Sequence, residues 1–264
     1  ISALLNAVRD LSSECRGLNF RVSLRSDVYY LVRTSDESTD KIEGSVIWHS
    51  WSNHEIFVLL VKRIESFFGR KIDEGKLLKM GQASLAHYLG SIMEERFQGQ
   101  GLWSNAPMYR VLMSLIRKRP RDLVKLCTLA GRAARKEQAT TIGTRHFQAI
   151  FEEYSQGRLQ DTVNEFRSEL PLVEKLLLAM KPSKKERTGH EGYVYTTDSL
   201  LKKINTIREQ GQFRFAAGEI GDSKHLAAFM YKINFLTARK ASSSSDGVVR
   251  KYFEENRYLS NEFV

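Results

Sequence analysis

Cysteine is almost absent. Cys15 and Cys127 are the only two in 264 residues, and they lie far apart. That excludes a disulfide framework and suits a reducing cytoplasm. Long apolar runs are missing too: the densest, Ile56–Val61, falls far short of the ~20 residues a membrane-spanning helix needs. Nothing at the start reads as a signal or transit segment, so the chain is expected to be cytoplasmic with no membrane partner. The compact catalytic motifs are also lacking. No G-x-x-x-x-G-K-[ST] phosphate loop and no G-x-S-x-G elbow occurs. Gly99-Gln100-Gly101 follows no strand and reads as a turn. His49 and His54, five apart, do not share a helix face, and no cluster has metal-ligand spacing. The doublets Glu94-Glu95, Glu152-Glu153 and Glu254-Glu255 diverge on a helix and read as solvated faces. These absences argue against an independent hydrolase or transferase, so no catalytic residue and no metal ligand is assigned.

What is present is an ordinary globular composition, 42% hydrophobic and 27% charged, with a net charge of +10. Such a balance suits nucleic acid, nucleotide phosphates or an acidic partner, and equally a basic surface kept for solubility. Ile1 falls inside a helical pattern and Phe263-Val264 resembles mid-strand, so both ends are expected to continue into a larger protein.

Periodicity divides the chain. Ile1, Leu4, Leu5, Val8 and Leu11 have helical spacing, ended by Gly17. Leu18–Leu24 alternates as a strand; Ser26 and Asp27 start a helix before Val28–Val32; Val46–Trp51 reads as a second strand. Ser52 and Glu55 form a capping box for a helix reaching Phe67 or Phe68. This opening reads as a small α/β segment of parallel type. From Ser84 to Met180 only helical periodicity remains: Leu85–Phe97, Pro107–Arg117, Pro120–Lys136, Gly143–Tyr154, Leu159–Glu169 and Pro171–Met180. Lys181–Tyr193 reads as a linker. Helices Asp198–Glu209 and Ser223–Asn234 follow, then strands Phe235–Arg239 and Val248–Phe253 around a serine-rich loop, Ala241–Gly247, with a third strand from Tyr258. Helices followed by a hairpin suggest a winged helix.

Two positions are placed to meet a phosphate. Arg25 falls at the carboxyl end of the strand Leu18–Leu24, where open α/β sheets bind ligands, and guanidinium matches phosphate in a fork. Within Arg119-Pro120-Arg121-Asp122, Pro120 fits the first helical position, and Arg121 adds a full charge to the helix's N-terminal N–H groups. Each also has a plain alternative: an arginine starting a turn, and a commonplace helix start. In the tail, Lys224, Lys232, Arg239, Lys240, Arg250 and Lys251 form a basic set suited to a nucleic-acid backbone. Leu226, Phe229, Met230 and Ile233 share one face and read as core.

The run Arg21-Val22-Ser23-Leu24-Arg25-Ser26-Asp27-Val28-Tyr29, then Ile47-Trp48-His49-Ser50-Trp51, Leu59-Leu60, Arg63-Ile64 and Arg119-Pro120-Arg121-Asp122 resembles, in order and spacing, the bacterial P-loop ATPases of the STAND and AAA+ class. Tyr154-Ser155 and Pro171-Leu172 continue the likeness. The resemblance implies a predominantly α protein with three parts. Residues 1–52 would be the C-terminal remnant of a P-loop α/β core, 53–181 a helical lid, and 182–264 a linker and winged-helix-like domain. It implies that Arg25 is a sensor beside the γ-phosphate and that Pro120 and Arg121 belong to a second sensor on the lid. Arg33, in the turn before the second strand, would be placed to reach a neighbouring subunit, with an ordinary solvated arginine as its plain alternative. ATP and Mg would be held by the intact protein through parts preceding Ile1, and by this chain alone not securely. The implied partners are the remainder of the ATPase core, further copies of the chain and an effector protein. Such ATPases are associated with mobile elements and antiphage defence. The sequence therefore leads to a nucleotide-sensing lid and latch of an ATP-driven switch, with a nucleic-acid-binding module or a structural adaptor as alternatives.

Overall fold

A computed structural model of the chain describes residues 1–25, 28–29, 44–100, 103–183, 186, 193–241, 248–253 and 256. They are mostly helical, with two short two-stranded antiparallel ladders. The chain divides into two compact units, residues 1–51 and 52–264.

The first unit holds helix α1 (Ser2–Glu14), whose side chains bury only at Leu5. Tyr29 is buried, and its ring meets Trp48 edge-on at 5.3 Å. The strands expected at Leu18–Leu24 and Val46–Trp51 do not form: both segments are irregular and join no ladder among the described residues. Alternation makes a strand only where a neighbour takes its backbone groups. Here Leu18, Phe20 and Val22 stay exposed, as do Ile47, Trp48 and Trp51.

The second unit opens as its sequence dictates. Ser52 Oγ accepts from the Glu55 N–H at 3.1 Å, and the Glu55 carboxylate accepts from the Ser52 N–H at 2.7 Å, starting α2 (Asn53–Phe67). A short helix that periodicity missed, α3 (Glu74–Lys79), starts on an Asp73 cap. The expected helix Leu85–Phe97 is broken up into α4 (Gln82–Ala86), a 3₁₀ turn (His87–Ser91) and strand β1 (Arg96–Phe97), which pairs with β2 (Ala106–Pro107). The cause is tertiary: Ile92 and Glu94 exchange backbone hydrogen bonds with Ile142, which draws this stretch out of helix. Helices α5 (Met108–Leu115) and α6 (Pro120–Lys136) follow.

Helix α7 (Thr144–Phe166) is one continuous rod where the sequence suggested two helices split around Ser155–Arg158. Its apolar face changes along its length because it serves two cores. Phe147, Ile150 and Tyr154 join a first core with α2, α5 and α6. Val163 and Phe166 join a second with α8 (Val173–Ala179), α9 (Thr197–Glu209) and α10 (Ser223–Lys232). Strands β3 (Ala238–Ala241) and β4 (Val248–Lys251) form a hairpin after α10. The serine run and Tyr258 lie outside the described residues. Tyr231 ties α10 to the chain beyond β4, donating its hydroxyl to the carbonyls of Tyr252 and Asn256 at 3.2 and 2.7 Å.

Gly157 lies inside α7, where a glycine costs about 1 kcal/mol relative to alanine. A Cβ there would meet only the end of Lys125, Nζ at 2.6 Å and Cε at 3.2 Å. Among the described residues, that ammonium is held only by a 3.5 Å pair with Asp161. Gly157→Ala is expected to raise the urea midpoint, by about 0.5–1 kcal/mol in stability. A lowered midpoint would show that Lys125 has nowhere to swing.

Candidate functional site

The turn between α5 and α6 concentrates charge. Arg117, Lys118, Arg119 and Arg121 fall within five residues, and Pro120 sits at the first helical position of α6. Proline there forfeits only an N–H that a helix start leaves unpaired anyway. Arg119, the N-cap residue, supplies no side-chain cap, and its carbonyl accepts from the Asp122 N–H at 3.0 Å, which leaves the Arg121 N–H without a cap. Asp122 in the first turn and Arg135 and Lys136 in the last complement the helix dipole.

Three neighbouring residues divide the labour. Arg119 Nη1 reaches Glu165 on α7 at 3.4 Å. Arg121 projects to solvent and makes no ion pair among the described residues. Asp122 turns inward, only 1% exposed, and takes a 2.7 Å hydrogen bond from Arg158 Nη1 on α7. Burial pushes the Asp122 carboxyl above its ordinary range, against the opposing pull of Arg158, Arg119 and Arg121. The inward pair fixes the first turn of α6 on the middle of α7, and that in turn fixes where Arg121 stands. Sequence reasoning singled out Pro120 and Arg121 and missed Arg158. Its signal was present: Phe147, Ile150, Tyr154 and Arg158 share one helical stripe, so a cation sits where the pattern asks for a core residue.

The turn is joined to the hairpin region. Lys118 Nζ lies 5.4 Å from the centroid of the Tyr252 ring, a cation–π distance. The start of α7 is fixed differently: the Glu94 carboxylate accepts from the Thr144 N–H at 2.9 Å. Glu94 is exposed, as its reading as a solvated face expects, and makes this bond as well. Its neighbour Glu95 lends only a backbone carbonyl, to the Met108 N–H.

The remaining expected residues scatter. Arg25 is exposed and follows an irregular segment instead of closing a strand, and its carbonyl accepts from the Tyr29 N–H at 3.0 Å. Arg33 lies outside the described residues. Lys224 is exposed in the first turn of α10, whereas Lys232, in its last turn, is taken up by Glu169 at 2.7 Å. Arg239 and Lys251 are exposed on the hairpin, and the backbones of Lys240 and Arg250 lie on its paired strands. No group of three His, Cys, Asp or Glu side chains able to hold a metal occurs among the described residues, and none of their helices is long and apolar enough to cross a membrane. Comparison with family models, with curated proteins and with solved structures finds no match to this chain.

Proposed function

We propose that this chain is the sensing portion of an ATP-driven P-loop ATPase switch. In this assignment residues 53–181 form the lid and the helices and hairpin after residue 182 form a winged-helix-like latch. The carrying observation is the start of α6: an open helix N-terminus led by Pro120, with Arg121 held toward solvent by the inward pair Asp122–Arg158. An exposed guanidinium at a helix start suits a phosphate of ATP; the backbone adds the Arg121 N–H, since Pro120 has none and the Asp122 N–H is bonded to the Arg119 carbonyl at 3.0 Å. Two further observations support the assignment. The exposed apolar row Leu18, Phe20 and Val22, with Ile47, Trp48 and Trp51, is the surface expected of segments that pack on the rest of an ATPase core. The contact of Lys118 with Tyr252 links the sensing turn to the hairpin, a route by which nucleotide state reaches a partner subunit or effector.

The intact ATPase holds ATP and Mg through a phosphate loop that the present sequence lacks. In a protein that joins that loop to this chain, Arg121→Ala is expected to weaken ATP binding about 10- to 100-fold, the worth of one charge-assisted hydrogen bond. The unfolding midpoint should stay unchanged, since Arg121 is exposed. Equal ATP affinity in wild type and variant would end the assignment. A nucleic-acid role is favoured by one observation, the exposed Arg239 and Lys251 on the hairpin. It requires duplex DNA binding that falls steeply with salt, and absence of binding at low salt removes it.

A further inference from the structure

A cleft of about 470 Å³ opens where the two cores meet along α7. Trp103, Phe151 and Phe235 contribute aromatic walls, and Tyr154, Arg117 and Arg158 contribute polar groups. Arg121 does not line it, so the cleft is separate from the helix start described above. Its size falls within the range of small-molecule sites, about 300–1,000 Å³.

The charge in this cleft is unbalanced. Arg158 spends one nitrogen, Nη1, on Asp122, and the rest of its fork has no hydrogen bond among the described residues. Arg117 is half-buried and meets no hydrogen-bond or ion-pair partner among them at all. Burial lowers the pKa of its guanidinium, the charges of Arg158 and Arg119 lower it further, and Asp122 and Tyr154 oppose them. Two guanidiniums drawn together out of water are stabilised by an anion between them. The backbone adds a separate sign. Arg117 (φ 43°) and the adjacent Lys118 (φ 55°) are both left-handed, just past the end of α5, where glycine is the usual residue. Gln138 takes the same conformation after α6 at φ 55°, and Asn234 after α10 at φ 56°. At Arg117 the left-handed backbone closes α5 and sets the guanidinium on the wall of the cleft.

We infer that this cleft binds a small phosphate monoester bearing an aromatic ring, mononucleotide in size. The phosphate sits against Arg117 and Arg158 and the ring lies among Trp103, Phe151 and Phe235. Because the walls come from both cores, an occupant would bridge them.

The test is calorimetric titration of the whole chain with AMP, phenyl phosphate, adenosine and inorganic phosphate. At least one of the two aromatic phosphates should bind saturably, about tenfold or more tighter than both adenosine and inorganic phosphate. Arg117→Gly removes the guanidinium while supplying the residue its φ favours, and should weaken that binding about tenfold or more with no loss of folding. Ser155→Glu, an exposed position on the cleft, should abolish binding by setting a carboxylate against the phosphate. Arg132→Gln, which removes an equal charge from an exposed site on α6, should change affinity less than about twofold. No saturable binding of AMP or phenyl phosphate up to about 5 mM, far weaker than a specific site allows, overturns the inference. So does binding that survives both Arg117→Gly and Ser155→Glu, since it would place the ligand elsewhere.

Discussion

Replacing Asp122 with alanine is expected to cost about 3–5 kcal/mol of stability. The removed carboxylate is 1% exposed and holds Arg158, itself only 8% exposed. Deleting it strands a guanidinium in a place with little water, and that penalty far exceeds the worth of the hydrogen bond alone. Arg158→Ala should cost a comparable amount for the mirror-image reason. Replacing both, Asp122→Leu with Arg158→Met, should cost much less than the sum, because a well-packed apolar pair avoids desolvating either charge. Urea unfolding of the four proteins completes the cycle. A cost under about 1 kcal/mol for Asp122→Ala would show that the pair does not hold the turn. Asp122→Ala should also blunt the nucleotide response proposed for Arg121 without touching ligand, since its side chain sets where the first turn of α6 stands. Asp122 is thus a positioning residue.

The α6 start was legible in the sequence because its determinants are local. Pro120 fixes φ and tolerates the missing N–H, and the periodic Leu123, Leu126 and Ala130 bury one face. The capping box at Ser52 and Glu55 was legible for the same reason. Non-local determinants were hidden. The stretch after Leu85 has helical spacing, but backbone pairing of Ile92 and Glu94 with Ile142 outweighs it. Ser155-Gln156-Gly157 reads as a helix break, yet α7 runs through it, because the rod exchanges one core for another there and needs no apolar stripe at the crossing. The alternation at Leu18–Leu24 marks strand propensity and cannot say whether a partner strand is at hand. Of the candidate residues, Arg121 could be read from its position after Pro120. Arg117 and Arg158 could not, because their significance depends on facing one cleft across α5 and α7.

Phe147→Ala tests whether the first and second cores form one cooperative body. Phe147 is fully buried in the first core, and truncating such a ring costs about 3–5 kcal/mol through lost burial and the cavity left behind. The informative quantity is the slope of the urea transition. α7 carries Phe147 near its start and Val163 and Phe166 near its end, so loss of the first core releases the helix on which the second is built. Lys118 on Tyr252 and Arg119 with Glu165 tie the α5–α6 turn to the far end of the same assembly. The midpoint should therefore fall while the slope keeps its wild-type value, since the surface exposed on unfolding is unchanged. A shallower slope, or fluorescence of Trp103 changing ahead of far-UV circular dichroism, would mean that the first core melts alone. The distinction bears on function. In the proposed switch, a phosphate-sensing turn moves the hairpin only if the body that carries both does not yield, and α7 runs through both cores of that body.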